Sequence, residues 1–411
     1  MKNKNSMLQL LSATLIILFT LSACNEYNEP GIIYDADVSA YPASPVITGV
    51  APSDSLIAGV REVTINGTDF PTDTSLIHVF FGSQRAIIKS ASSTSLVVHR
   101  PPNSGSLMVK VEVPAALGIP KVPYKIEIPM EKFGVFNTIT RGFFVMEVDK
   151  DDYLWIGSRR YIYKVTPDGL YPNIFMTDAL LKSPFVEPTD LRFGPGGLLY
   201  VALKGSKIIY TINPQDATQG PVTYATFPNN AEKMDFDQNG NLFAGKANGL
   251  YLVDNATKTV TATGHYGNNF PIVDIRIFNH YVYVASDSCI SKTIINADGS
   301  LGSSDELVVD IFNNPALSQC AINSFSIAAD GTIYLGLKNH PDYSIFVLGS
   351  DGSVTPFYTD NILPKKVEQM FWGNGRHLFL FNGKGQATDS SRSVNRMGLD
   401  KNGAPYLGRT L

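Results

Sequence analysis

The sequence predicts an all-β protein of two parts, a small sandwich followed by a six-bladed β-propeller, and three observations carry that prediction. A pattern of apolar strand, tight turn and aromatic-rich strand returns about every forty residues through the C-terminal two thirds of the chain. It occurs six times, at 145–157, 190–202, 233–245, 274–285, 324–336 and 369–381. No helical periodicity separates the copies, and strand-only repeats at this spacing are blades set around an axis. The region before them, 45–128, follows a different rhythm of short alternating strands and turns.

A length of 411 residues suits one large and one small domain. Hydrophobic residues make up 44% and aromatics 11%, ample for packed sheets, while a mean hydropathy near zero excludes a multi-span membrane protein. The net charge of -4 provides no basic stripe, so nucleic acid is not an expected partner.

Lys2 and Lys4 precede an apolar run over 7–21 that is too short and wrongly flanked for a spanning helix. Leu21-Ser22-Ala23-Cys24 follows. These residues resemble the lipobox of bacterial lipoproteins, which implies a signal peptide over 1–23, cleavage before Cys24 and lipidation of its thiol. The irregular polar stretch over 24–44 reads as a tether that, fully stretched, spans roughly 60 Å. Glu26 and Glu29 lie just behind Cys24. Acidic residues there resemble the surface-export signal of Bacteroidota lipoproteins, implying lipid anchorage at the outer membrane with surface display.

Within 45–128 stand Pro45 and Pro52 about the first strand, Gly59, Thr64-Ile65-Asn66-Gly67 leading to Phe70, Phe81-Gly82, and an alternating strand over 107–113. This segment resembles the IPT/TIG immunoglobulin-like fold, a sandwich whose two sheets need the inward alternation seen here. The resemblance implies a spacer or contact module.

The propeller is expected over 132–411. Its copies are similar to NHL-type blades, each continuing into a third strand and a turn such as Asp168-Gly169, Asp298-Gly299 or Asp351-Gly352. Aspartate-glycine and asparagine-glycine suit tight hairpins because positive φ is cheap there. Closing the ring removes exposed sheet edges. Two segments compete for the outer edge of the sixth blade, 133–138 and 404–407, and the expectation is that both lie there side by side.

Four antiparallel strands in series place the short turns on one rim and the longer connections on the other. The latter are 177–189, 265–273, 312–323, 338–343, 359–367 and 383–393. Long loops on a rigid scaffold are where binding is usually placed. Phe185, His265, Tyr266, Phe270, His340 and Tyr343 lie on them, a mixture suited to stacking on sugar rings, although each also serves to pin its own loop. A basic residue recurs after the second strands, at Arg159, Arg160, Lys204, Lys246, Lys338 and Lys384, which is either a positive collar for an anionic ligand or a set of solvated strand ends.

The third position of the six first strands reads Glu147, Arg192, Asp235, Arg276, Ser326 and Phe371. First strands line the axis, so Glu147 is expected beside Arg192, and Asp235 between Arg192 and Arg276, as mutually neutralising charges. The other reading is a metal or catalytic centre built from Glu147, Asp190, Asp235 and Asp274. Six-bladed lactonases of the gluconolactonase type hold a divalent cation at the axis with acidic and amide ligands, a set this sequence does not match.

No metalloprotease, serine-hydrolase, phosphate-loop or paired-cysteine motif occurs, and the 6 histidines are dispersed. Cys289 and Cys320 are an even remainder in an exported chain, and both are expected on one rim of adjacent blades, so a disulfide between them is expected. Resemblance to IPT/TIG and NHL-type lipoproteins of Bacteroidota implies a glycan or glycoconjugate-binding protein in a nutrient-uptake complex. The alternatives are a metal-dependent hydrolase or lyase, and an adhesin or scaffold that contacts protein.

Overall fold

The computed structural model describes residues 43–410 apart from 115, 117, 182–184, 268–269, 360–361, 364–365 and 387–391. The lipidation motif at Cys24 and the tether lie outside the described residues, as do parts of four of the long loops. The described residues are all-β save for short single turns and a final helix, Leu407–Thr410.

Two sheets form the N-terminal sandwich. One orders Val46–Ala51, Glu62–Thr68, Ser95–His99 and Ile88–Ala91; the other orders Ser55–Leu56, Lys121–Ile126, Gly105–Glu112, His78–Phe81 and Gln84–Arg85. Alternation sends Val63, Ile65, Leu96 and Val98 inward from the first sheet to meet Val79, Phe81, Val109 and Val111 from the second, all fully buried. Buried Arg100 stitches the base, donating to the carbonyls of Leu56, Ile57 and Glu127.

Six four-stranded sheets follow, five of them in simple sequence order from the axis outward and the sixth with an outer strand taken from upstream of the first blade. Their innermost strands are Phe143–Val148, Pro188–Phe193, Lys233–Phe236, Asp274–Phe278, Ala321–Ile327 and Gln369–Trp372. Each touches the next, and the sixth touches the first, which closes a six-bladed β-propeller. The hairpins from first to second strand have a local cause. Asp149 Oδ1 accepts from the backbone N–H groups of Asp151 and Tyr153, and Asp237 Oδ1 accepts from those of Asn239 and Asn241. A side chain thus holds each turn closed before the blades pack.

The sixth blade departs from expectation. Its fourth strand is Glu131–Lys132, just before the segment nominated, paired with Arg396 and Asn395 of the third strand Ser393–Gly398. Phe133 extends that pairing by one N–H bond to Val394, and 134–138 turns inward, with Phe136 buried against Phe143. The other nominee is not at the edge at all. Residues 403–406 cross the axis: Gly403 bonds Gly375, Ala404 bonds Ile327, and the Tyr406 hydroxyl donates to the Phe193 carbonyl at 2.6 Å. One sheet edge takes one strand, and a polar edge pair with a Glu131–Arg396 ion pair holds it without the apolar tail.

The sandwich docks against the turn-rim side of blades five and six. The Gly59 N–H donates to the Tyr358 hydroxyl at 2.7 Å, the Arg61 guanidinium reaches Thr355 at 3.2 Å, and Gly59 packs on Asp400.

Candidate functional site

The six third-position residues do line one axial cavity, of about 50 Å³, which Ala404, Pro405 and Tyr406 close from the turn rim. Room for a few waters is all that this volume gives. Arg192 is buried at its centre, with Nη1 3.0 Å from Glu147 and 3.2 Å from Asp190, and Nε 3.7 Å from Asp235. Burial opposes its charge, but Asp190, Glu147 and Asp235 together more than offset that, so its pKa rises above the ordinary arginine value. Arg276 differs from the expected pairing. It binds Asp274 on its own strand at 2.7 Å, because side chains two apart on a strand share a face. It remains near enough to Asp235 to favour that carboxylate electrostatically.

The carboxylates are also committed to backbone. Asp190 accepts from Met234 N–H at 2.9 Å, Asp235 from Ile277 N–H at 2.8 Å and Asp274 from Phe325 N–H at 3.2 Å, each reaching the next blade. Asn323 donates to the carbonyls of Val367 and Glu368, and Gln369 bonds Met146 in the first blade. With the Glu147–Arg192 pair, every junction of the ring has at least one polar staple. A divalent cation does not fit these residues, because guanidinium groups already occupy the space between the acids and a second positive charge would be repelled. Among the described residues no three histidine, cysteine, aspartate or glutamate side chains converge on one point. Desolvation pushes the Asp235 carboxyl up to about 6, against the pull of Arg192 and Arg276.

On the long-loop rim the structure spreads the nominated residues. Phe185 and Tyr266 are buried, the latter with its hydroxyl on Thr293 at 2.7 Å, and burial raises its pKa. Phe270 packs on Tyr266. His265 Nδ1 lies 2.7 Å from Asp305. His340 Nδ1 accepts from the backbone N–H groups of Asp342 and Tyr343, and the Tyr343 hydroxyl donates to Thr359. These groups hold their own loops. Of the basic residues, Lys204 pairs with Glu187 at 3.1 Å and Lys246 with Glu232 at 3.5 Å, so the rim alternates in charge there. Arg159, Arg160, Lys338 and Lys384 are exposed.

The expected disulfide is not formed: Cys289 and Cys320 are both free thiols. Cys289 opens the third strand of blade four, beside the Ser286 hydroxyl, whereas Cys320 is packed into the apolar core between blades four and five. The connection over 312–323 is held instead by backbone, with Ile311 bonded to Ser288 and Ile322 to Asp287.

Residues 45–124 match the IPT/TIG domain family. No curated protein sequence matches the chain. Among solved structures, a protein of Bacteroides thetaiotaomicron described as a candidate phosphatase is 12% identical and aligns over 87% of this chain and 98% of its own, with a TM-score of 0.51. An auxiliary nutrient binding protein of Bacteroides ovatus is 15% identical over 87% of this chain and 98% of its own, with a TM-score of 0.48. A candidate gluconolactonase, 11% identical, covers 67% of this chain and 94% of its own with a TM-score of 0.50. An IPT/TIG domain followed by a six-bladed β-propeller is therefore the architecture of this chain, and its two-part fold is one found in Bacteroides.

Proposed function

We propose that the protein is a non-catalytic binding protein, lipid-anchored through Cys24 at the outer membrane and surface-exposed, that captures a glycan or glycoconjugate for uptake. The observation that carries this reading is the placement of the sandwich. It docks on the turn-rim side through Gly59 and Arg61, which leaves the rim bearing the long connections turned away from the domain nearest the anchor. An axis whose carboxylates are spent on Arg192, Arg276 and backbone N–H groups supports binding over hydrolysis. The exposed basic residues Arg159, Arg160, Lys338 and Lys384 on that rim supply donors for hydroxyl or acidic groups of the ligand.

A glycan-array screen of the protein lacking residues 1–24, run beside metal analysis of the same sample, tests this. Saturable binding of a saccharide without stoichiometric metal is the expected result. Turnover of a bound saccharide that follows metal content would replace this reading with a hydrolase or lyase.

A further inference from the structure

The first hairpin of blade four departs from those of the other five blades. Five blades close that hairpin with three residues between a bonded pair: Asp149 to Tyr153, Gly194 to Leu198, Asp237 to Asn241, Ala328 to Thr332 and Gly373 to His377. Blade four uses two residues, Asn279 and His280, between the paired Phe278 and Tyr281. Both central residues have positive φ, 48° and 62°, the geometry of a two-residue turn that glycine usually fills. Positive φ at two successive residues without a glycine is uncommon. The shorter turn leaves room at the turn rim between blades three and four, where a cavity of about 500 Å³ opens, walled on the axial side by Pro405, Tyr406 and Leu407.

The lining has two characters. Phe236, Phe278 and Ile295 form a buried apolar floor, while Gln238, Asn239, Asn279, His280 and Asn296 stand exposed around it. Among the described residues, the side chains of Gln238, Asn239, Asn279 and His280 make no hydrogen bond within the protein. Among the described lining residues there is no lysine, arginine or glutamate, and the Asp237 carboxylate is filled by Asn239 N–H, Asn241 N–H and the Asn241 amide. A phosphate or carboxylate ligand would find no lysine or arginine among the described lining residues, and a wholly apolar one would bury amides without partners.

We infer that this cavity is a binding site for a neutral polyhydroxylated ligand with one apolar face, a mono- or disaccharide unit. Its volume lies in the range of small-ligand pockets. The apolar face of a pyranose meets the half-buried Ile277, Tyr406 and Leu407 above the Phe236 and Phe278 floor, and its hydroxyls meet amides that donate and accept. The site stands apart from the long-loop rim, on the opposite face of the propeller, so the two are separable by substitution.

Ligand-observed NMR titration with methyl glucoside, methyl galactoside, methyl mannoside and lactose, with glucuronate as the charged comparison, tests it on the protein lacking residues 1–24. Two variants probe the site. Ala297→Trp fills the cavity from an exposed position, and Asn279→Gly keeps the positive φ of the turn while removing the amide. Lys338→Ala reports on the other rim. At least one neutral sugar is expected to bind, with affinity falling at least tenfold in Ala297→Trp and in Asn279→Gly, and with glucuronate weaker. Binding that is lost in Lys338→Ala and kept in the two cavity variants overturns this site while sparing the rim reading. Absence of binding by every neutral sugar, or equal binding by all four proteins, overturns it as well.

Discussion

The side-chain amide of Gln369 closes the propeller on Met146, accepting from its N–H at 3.0 Å and donating to its carbonyl at 2.9 Å across 223 residues of chain. Both backbone groups are buried, and among the described residues no other blade junction has a neutral amide satisfying both at once. Gln369→Ala strands them. The expected loss is about 1–3 kcal/mol of stability, read by urea denaturation, and no loss would show that water replaces the amide.

Arg192→Met removes the guanidinium shared by Glu147, Asp190 and Asp235. Destabilisation by about 3–5 kcal/mol is expected, since breaking a buried pair leaves uncompensated charge. Saccharide affinity should stay within a factor of two. Wild-type stability combined with lost activity would instead make the axis a working centre.

Asp235 gives a pH signature. Its folded pKa is about 6 against 3.8 for the free side chain, because desolvation outweighs the arginines. The folded state therefore holds the proton more tightly, so this group's contribution is greatest below pH 3.8 and falls as pH rises through 6, by roughly 3 kcal/mol. Asp235→Asn removes that slope. Thermal midpoints of the two proteins across pH 4 to 7 should diverge in this sense, and parallel profiles would show that the carboxyl ionises normally.

Cys24→Ser is expected to release the protein from the membrane fraction and abolish lipid labelling. A variant still sedimenting with membranes after a carbonate wash would remove the anchor.

Cys289 and Cys320 should both take up an alkylating reagent in unfolded, unreduced protein. In the folded state Cys320 should react slowly, being buried with its pKa raised by desolvation. Mass spectrometry that finds neither thiol modified after unfolding would restore the bridge.

Much of this fold is legible in the sequence because blades are local. Asp237-Gln238-Asn239-Gly240-Asn241 specifies its turn within five residues, and the third-position register puts Glu147 through Phe371 around one cavity by strand alternation alone. What is not local is harder to read. Glu131 meets Arg396 across 265 residues, and nothing near either residue names the other. The path of 403–406 over the axis depends on carbonyls of Phe193, Ile327 and Gly375, which carry no side-chain signature. The aromatic residues of the long loops were readable as ligand groups or as pins, since composition does not distinguish an outward ring from the buried Phe185 and Tyr266. The cavity between blades three and four did leave a mark, because the copy over 274–285 is one residue shorter than the others.

The outer strand of blade six has a mechanical meaning. If the protein is anchored through Cys24 as proposed, a pull on the propeller enters the ring at Glu131–Lys132, where the chain leaves the sandwich. Two paired residues and the Phe133 bond would unzip easily alone. Behind them Arg392 grips the carbonyls of Phe136, Ile139 and Arg141 with its plane 4.0 Å over the Phe143 ring. Force that peels the first strand therefore meets a buried guanidinium before it reaches blade one, and the contacts of the sandwich with Tyr358 and Thr355 share the load in parallel.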